Sequence, residues 1–219
     1  MLFHHESMNE GTATRRRRYS SPLRAAQAGQ TRLAVLAAAT RLFAEKGWSG
    51  TGLREVARAA QVSVETVYAN FGSKGALLRE ALDVAVVGDD EPVPLSDRPE
   101  FRALAEGDAA ARAQAAGRLL AALHRRTAAL YRVLQHAAAA DAEMADLLRK
   151  NQADERAQVR EGVLAVARRD VTEIEVDAMF AVLSNDVFLL LTETTGWSDD
   201  QYASWVAATV ARLLDLGED

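Results

Sequence analysis

The chain has 219 residues, 49% apolar and 26% charged, with a formal net charge of −5; this length allows one domain, or a small one joined to a larger one, with ample residues for a core. No apolar run reaches the roughly 18 residues a membrane-spanning helix needs, and the N-terminal MLFHHESMNEG lacks the basic-then-apolar order of a secretory signal, so a soluble cytoplasmic protein is expected. With no cysteine, disulfides, thiolate nucleophiles and cysteine zinc sites are excluded.

Charge is spread unevenly. Residues 1–79 hold 12 Lys and Arg against 5 Asp and Glu, whereas residues 80–219 hold 14 against 26; only the first part is suited to a polyanion. Within it, residues 1–29 carry Arg15, Arg16, Arg17 and Arg18, then Tyr19, Ser20, Ser21, Pro22 and Gly29, with little apolar periodicity. They read as a disordered basic arm. Its arginines either reach DNA phosphates or a narrow minor groove, or only solubilise; Met8 is an alternative start.

From Gln30 to Lys46, Val35, Leu36, Ala39, Leu42 and Phe43 form a helical stripe, and Gly47 stands in the left-handed position favoured after a helix. Leu53, Val56, Ala57 and Ala60 repeat the helical spacing. Val62 then closes a turn, Ser63 sits where an N-cap belongs, and Val67 and Phe71 form the buried face of a second short helix. Left outside are Val64, Glu65, Thr66, Tyr68, Ala69 and Asn70. This is the pattern of a helix-turn-helix, about residues 52–71, whose second helix enters a DNA major groove. Ser73 is placed to cap a further helix carrying Leu77, Leu78, Ala81, Leu82 and Ala85, so residues 30–86 make a four-helix unit.

The stretch from Thr31 to Leu78 resembles the DNA-binding domain of TetR-family transcriptional regulators. The resemblance rests on Leu42 to Trp48 (LFAEKGW), on Val62 to Phe71 (VSVETVYANF) and on the closing Gly72-Ser73-Lys74. It implies an all-α homodimer whose N-terminal domains occupy successive major grooves of a palindromic operator, with a larger helical C-terminal domain that binds a small-molecule effector and dimerises. Three positions depart from the family pattern. Gln61 stands for the usual turn glycine, at a cost of about 1 to 2 kcal/mol if left-handed; Gly52 replaces a hydroxyl residue; and Gly75 replaces a glutamate, weakening the start of its helix.

In such a domain the backbone amides after Ser63 attract a phosphate. Thr51, at the start of the preceding helix, is placed to do likewise, while Tyr68 by its hydroxyl and Lys74 as a mobile charge reach further phosphates. Val64 and the Thr66 methyl can pack on a thymine methyl, Glu65 can accept from a cytosine amino group, and Asn70 completes the reading face. The plainer alternatives are that Ser63 only caps, Tyr68 half-buries its ring and Glu65 points to solvent.

Val87 to Pro99 reads as an acidic, proline-bearing linker, and residues 100–219 as a helical domain. Leu119, Leu123, Leu130 and Leu134 supply one stripe; Met144, Leu147, Leu148, Val159, Val163, Leu164 and Val166 supply another. Glu173 to Thr194, apolar on nearly every side, reads as one helix. Ser198 to Leu216, with Tyr202, Trp205, Val206, Val210 and Leu213, reads as the last. Two such helices exceed what one domain covers easily. A two-fold interface through about 173–194 and 198–216 is therefore expected, against the alternative of a core helix within a monomer. Candidate effector contacts are the polar or aromatic groups on apolar faces: His124, Thr127, Tyr131, His136, Asn185, Asp186 and Trp197. The four histidines show no metal-ligand spacing and Gly72 to Gly75 lacks the order of a phosphate-binding loop, so no catalytic residue, metal or cofactor is expected. The function that follows is a ligand-responsive repressor released from its operator by a small molecule; the alternatives are a TetR-like activator and a helical protein-interaction adaptor without specific DNA binding.

Overall fold

Pro22 opens the first helix, α1 (Pro22–Gly50), in a computed structural model that describes residues 22–89 and 93–217; the Arg15–Arg18 run and the middle of the linker lie outside the described residues. Proline at a first helical position loses only an N–H that has no intrahelical partner anyway, and the alanine-rich sequence after it favours helix. Residues 22–29, expected in the disordered arm, are therefore helical. Gly47 supplies the expected left-handed turn, φ 69°, after which the chain coils once more to Gly50.

Three short helices follow: α2 (Leu53–Ala59), α3 (Val64–Phe71) and α4 (Lys74–Val87). Ser73 caps α4, its Oγ accepting from the Ala76 N–H at 3.0 Å, and Gly88 closes it at φ 93°. After a tight turn at Leu95–Asp97 come α5 (Pro99–Arg102), α6 (Ala109–Ala138), α7 (Ala142–Ala167), α8 (Glu173–Val182), α9 (Asn185–Leu189) and α10 (Asp199–Leu213). The fold is all-α, with no strand among the described residues. None of the described helices is long and apolar enough to cross a membrane.

The helix expected over 173–194 is broken. Ser184 is extended (φ −86°, ψ 161°) and its Oγ accepts from the Val187 N–H at 3.4 Å, so Ser184 starts α9 as a cap. The buried Asn185 fixes that break, because its Oδ1 accepts from Thr127 Oγ1 of α6 at 2.8 Å. Beyond α9 the chain loosens into a π turn, Leu190–Thr194.

Packing divides the apolar residues into two cores. In the first, Leu36 and Phe43 of α1, Val56 of α2, Val67 and Phe71 of α3 and Leu78 of α4 close on Leu130, Leu134 and Ala137 of α6 and on Met144 of α7. The second joins Ala116, Ala121 and Ala128 of α6 to Val163 of α7, Met179 of α8, and Tyr202, Val206 and Val210 of α10. The N-terminal unit is thus not closed by its own four helices; the C-terminal half of α6 completes its core. Gly75 lies at that junction, where a Cβ would come 2.5 Å from Met144 Cε. Besides weakening the start of α4, this glycine admits the methionine.

The α6–α10 contact is closer still. At Gly117 a Cβ would lie 2.2 Å from the carbonyl oxygen of Ala203. Gly117→Ala is expected to lose about 1 to 3 kcal/mol in chemical denaturation, because backbone must move. Gly75→Ala is expected to lose less, because only the tip of a flexible thioether must give way. Equal losses would refute this account of the two glycines.

Candidate nucleic-acid interface and internal cavity

The turn between α2 and α3 is set by hydrogen bonds on both sides of Gln61. The Gln61 N–H bonds to the Arg58 carbonyl at 3.2 Å, and the Val62 N–H reaches back to that of Ala57 at 3.0 Å. This pairing ends a helix through one left-handed residue, and Gln61 has φ 57°. Glutamine therefore bears the strain a glycine would avoid. Gln61→Gly is expected to stabilise the fold by about 1 kcal/mol, the relief of left-handed strain less the extra chain entropy of glycine. A lowered melting temperature would contradict this.

Ser63 caps α3 as expected: its Oγ accepts from the Thr66 N–H at 3.1 Å and lies 3.0 Å from Thr66 Oγ1. Val67 and Phe71 point inward, with the Arg32 guanidinium 5.5 Å over the Phe71 ring. Glu65, Tyr68 (54% exposed), Ala69 and Asn70 face out. Asn70 is steadied on its own helix, its amide donating to the Thr66 carbonyl at 2.7 Å. Thr66 is half-buried, and Val64 packs partly on the first core, leaving only part of its side chain to meet a ligand. A small cleft lined by Gln27, Ala28 and Thr31 of α1 adjoins Thr66 and Asn70, so the unexpected early turns of α1 flank the reading face.

Two expected phosphate contacts are placed otherwise. Thr51 is 2% exposed, with its Oγ1 3.0 Å from the Leu42 carbonyl and 2.9 Å from that of Gly47. It closes the end of α1, whose last carbonyls lack helical partners, and its hydroxyl does not face outward. Lys74 is not a mobile charge. Its ammonium donates to the Trp48 carbonyl and sits 4.2 Å above the Trp48 ring, which in turn stacks on Phe43. Burial lowers the Lys74 pKa. The lysine pins the start of α4 to the end of α1, with a cation–π contact added to the hydrogen bond. A matching tie at the other end of α4 has no sequence signature: Arg126 of α6 donates to the carbonyls of Ala85 and Val86 at 2.9 and 3.1 Å.

The second core borders a partly open cavity of about 100 Å³, lined by α6, α7, α8 and α10 together with Leu95 and Phe101. Its wall is apolar except at His124, Glu155 and Gln158. His124 Nδ1 is 2.8 Å from the Tyr202 hydroxyl, and burial lowers its pKa to about 4, so it is neutral at pH 7. Burial, then the Asp186 carboxylate, pushes Glu155 up to about 7.

Of the candidate effector contacts, only His124 lines this cavity. Thr127 and Asn185 satisfy each other, and Tyr131 is buried outside the lining. His136 is exposed, Asp186 accepts from Gln135 at 3.1 Å, and Trp197 packs on Trp205 with ring centroids 6.2 Å apart. Those three do not line it either. Glu155 was legible in principle: it precedes Val159 and Val163 at helical spacing and so falls on the apolar stripe of its helix.

The two cavity groups titrate with opposite sign. Glu155, at about 7 when folded against an ordinary 4.5, contributes stability below pH 4.5 that is lost as pH rises to 7. His124, at about 4 against 6.5, contributes stability above pH 6.5 that is lost as pH falls to 4. Between pH 4.5 and 6.5 the slopes oppose each other. Glu155→Gln is therefore expected to show a melting temperature that rises more steeply with pH than the parent's, and to exceed it most at pH 7 and above. Parallel pH profiles would refute the assignment.

A capped second helix that turns its polar side outward, in a basic N-terminal unit joined to a helical domain with a cavity, has the geometry of a helix-turn-helix. Residues 35–81 match the model of the tetR family of bacterial regulatory proteins. No protein with a curated description matches the chain. Similar solved structures include a proposed TetR-family transcriptional regulator from Rhodococcus sp., 17% identical over 85% of this chain and 99% of that one, TM-score 0.64. A second, from Mesorhizobium loti MAFF303099, is 20% identical over 86% and 97%, TM-score 0.61. At these identities the likeness concerns the fold. Residues 35–81 are thus those of a tetR-family DNA-binding domain, and the chain as a whole shares the all-α fold of these structures.

Proposed function

We propose that this regulator binds a palindromic operator as a homodimer and acts as a repressor released by a small-molecule effector. The observation that carries the proposal is α6, whose two halves fill the core behind the reading helix and the core around the cavity. An effector that favours one packing of the cavity wall would tilt α6, shift Arg126 and with it the end of α4, and change the spacing of two reading helices.

On DNA, the start of α3 meets a phosphate. Since Ser63 takes the Thr66 N–H, the amides of Val64 and Glu65 are those open to it among the described residues. Tyr68 reaches a second phosphate, and Glu65, Thr66 and Asn70, with the exposed part of Val64, read base edges. Thr51 and Lys74 act indirectly, by holding α1 against α2 and α4.

The dimer is supported by apolar side chains left outside: Ile174 is 81% exposed, Leu190 54% and Leu213 40%, all within the two segments expected to pair. Replacing Ile174 and Leu190 by lysine is expected to give a monomer in sedimentation and a large loss of operator affinity.

Gel-shift titration against DNA upstream of its own gene, repeated over a salt series, tests the DNA role. Affinity is expected to fall steeply as salt rises. Glu65→Ala is expected to relax one position per half-site by about 1 to 3 kcal/mol. Salt-independent binding, or none, would leave a helical adaptor that meets proteins through its exposed apolar helices. A ligand that enters the cavity without changing operator affinity would exclude effector release.

A further inference from the structure

We propose that the cavity selects an effector that is a lipophilic cation, an apolar body carrying one ammonium group that pairs with the carboxylate of Glu155. This rests on the cavity being the effector site, and it adds the chemical class of what enters.

The argument begins with what the wall contains. Among the described residues Glu155 is the only charged group on it, and no Lys or Arg lines the space. The neighbouring guanidinium on the same helix is engaged elsewhere: Arg156 donates to Glu173 at 2.8 Å and to Asp177 at 2.7 Å on α8. No described cation pairs with Glu155. Glu155 is half-buried; a carboxylate partly withdrawn into an apolar wall gives up part of its hydration, and an apolar residue at this position would have covered the core at no such cost. The charge there has a use if a positive group completes it.

The surroundings exclude the opposite polarity. The further charge that acts on Glu155 is another carboxylate, Asp186 of α9. The titratable groups facing it from α6 are His124, kept neutral near pH 7 by burial, and Tyr131, whose ionisation burial opposes. An anionic ligand would meet the Glu155 carboxylate, with the field of Asp186 added to it, and no cation on the wall. A neutral alcohol would find one acceptor and no charge to offset. An ammonium would find its counter-ion, with Gln158 and His124 as further polar wall groups.

Proton competition follows. Glu155 holds its proton up to about pH 7, and an alkylammonium binds the ionised carboxylate, so its affinity rises as pH passes from 6 to 8.

The test uses the full-length protein and three eight-carbon probes, octylammonium, octanol and octanoate, by isothermal titration at pH 8. Octylammonium is expected to bind about tenfold or more tighter than octanoate. In Glu155→Gln that ratio is expected to collapse to within about twofold, and the pH dependence of octylammonium binding to vanish. Thermal melting of the variant confirms that it folds. Octanoate binding as well as octylammonium, a preference that survives in Glu155→Gln through the general negative charge of the chain, or no binding of any probe would each overturn the proposal. Operator binding is measured separately. Octylammonium that binds through Glu155 but leaves operator affinity unchanged upholds the cation preference and removes the effector role.

Discussion

The dependence of both cores on α6 governs the molecule. Leu130, Leu134 and Ala137 complete the core behind the reading helix, while Ala116, Ala121 and Ala128 belong to the core that holds the cavity. Because side chains in a close-packed interior have few alternative positions, neither core can rearrange without the other feeling it. A DNA-reading unit that folded on its own helices would be mechanically separate from the cavity. This one borrows a wall from its neighbour, and the borrowed wall is a single uninterrupted helix.

Polar ties then fix the short helices to that frame. Thr51 closes α1 at the Gly47 carbonyl, Lys74 joins the start of α4 to Trp48, and Arg126 holds the end of α4 to α6. Each places a donor on carbonyls that a helix end leaves without intrahelical partners. Such ties are short-range and directional, so α4 is held at both ends by different parts of the chain. Movement of α4 therefore means exchanging one set of donors for another, which favours two discrete positions over a continuum.

What was legible beforehand follows from which forces are local. The helix-turn-helix was readable because periodicity, a serine cap and a tight turn all act within a few residues, and Ser63, Val67 and Phe71 stand as expected. Even the strain at Gln61 was readable, because a left-handed position depends on backbone sterics alone. Thr51 and Lys74 were misjudged because hydroxyl and ammonium groups satisfy a buried carbonyl as readily as a phosphate, and only the fold decides between them. The break at Ser184 was masked by flanking apolar residues that fit a continuous helix equally well. Glu155 was overlooked in a helix rich in charge, where its place on the apolar stripe was the only local sign. Arg126 had no sign at all, since its carbonyl partners lie far away in sequence.

The contact of Gly117 with the Ala203 carbonyl is made by backbone, not by side chains that can change rotamer. It therefore behaves as a fulcrum. At about 1.5 Å of rise per residue, the far end of α6 lies roughly 30 Å from that point. A tilt of only about 5°, within the slack of ordinary helix packing, carries that end through roughly 2 to 3 Å. A displacement at the cavity too small to open a visible gap is thereby enlarged, by leverage alone, to the scale on which a helix fits or misses a groove.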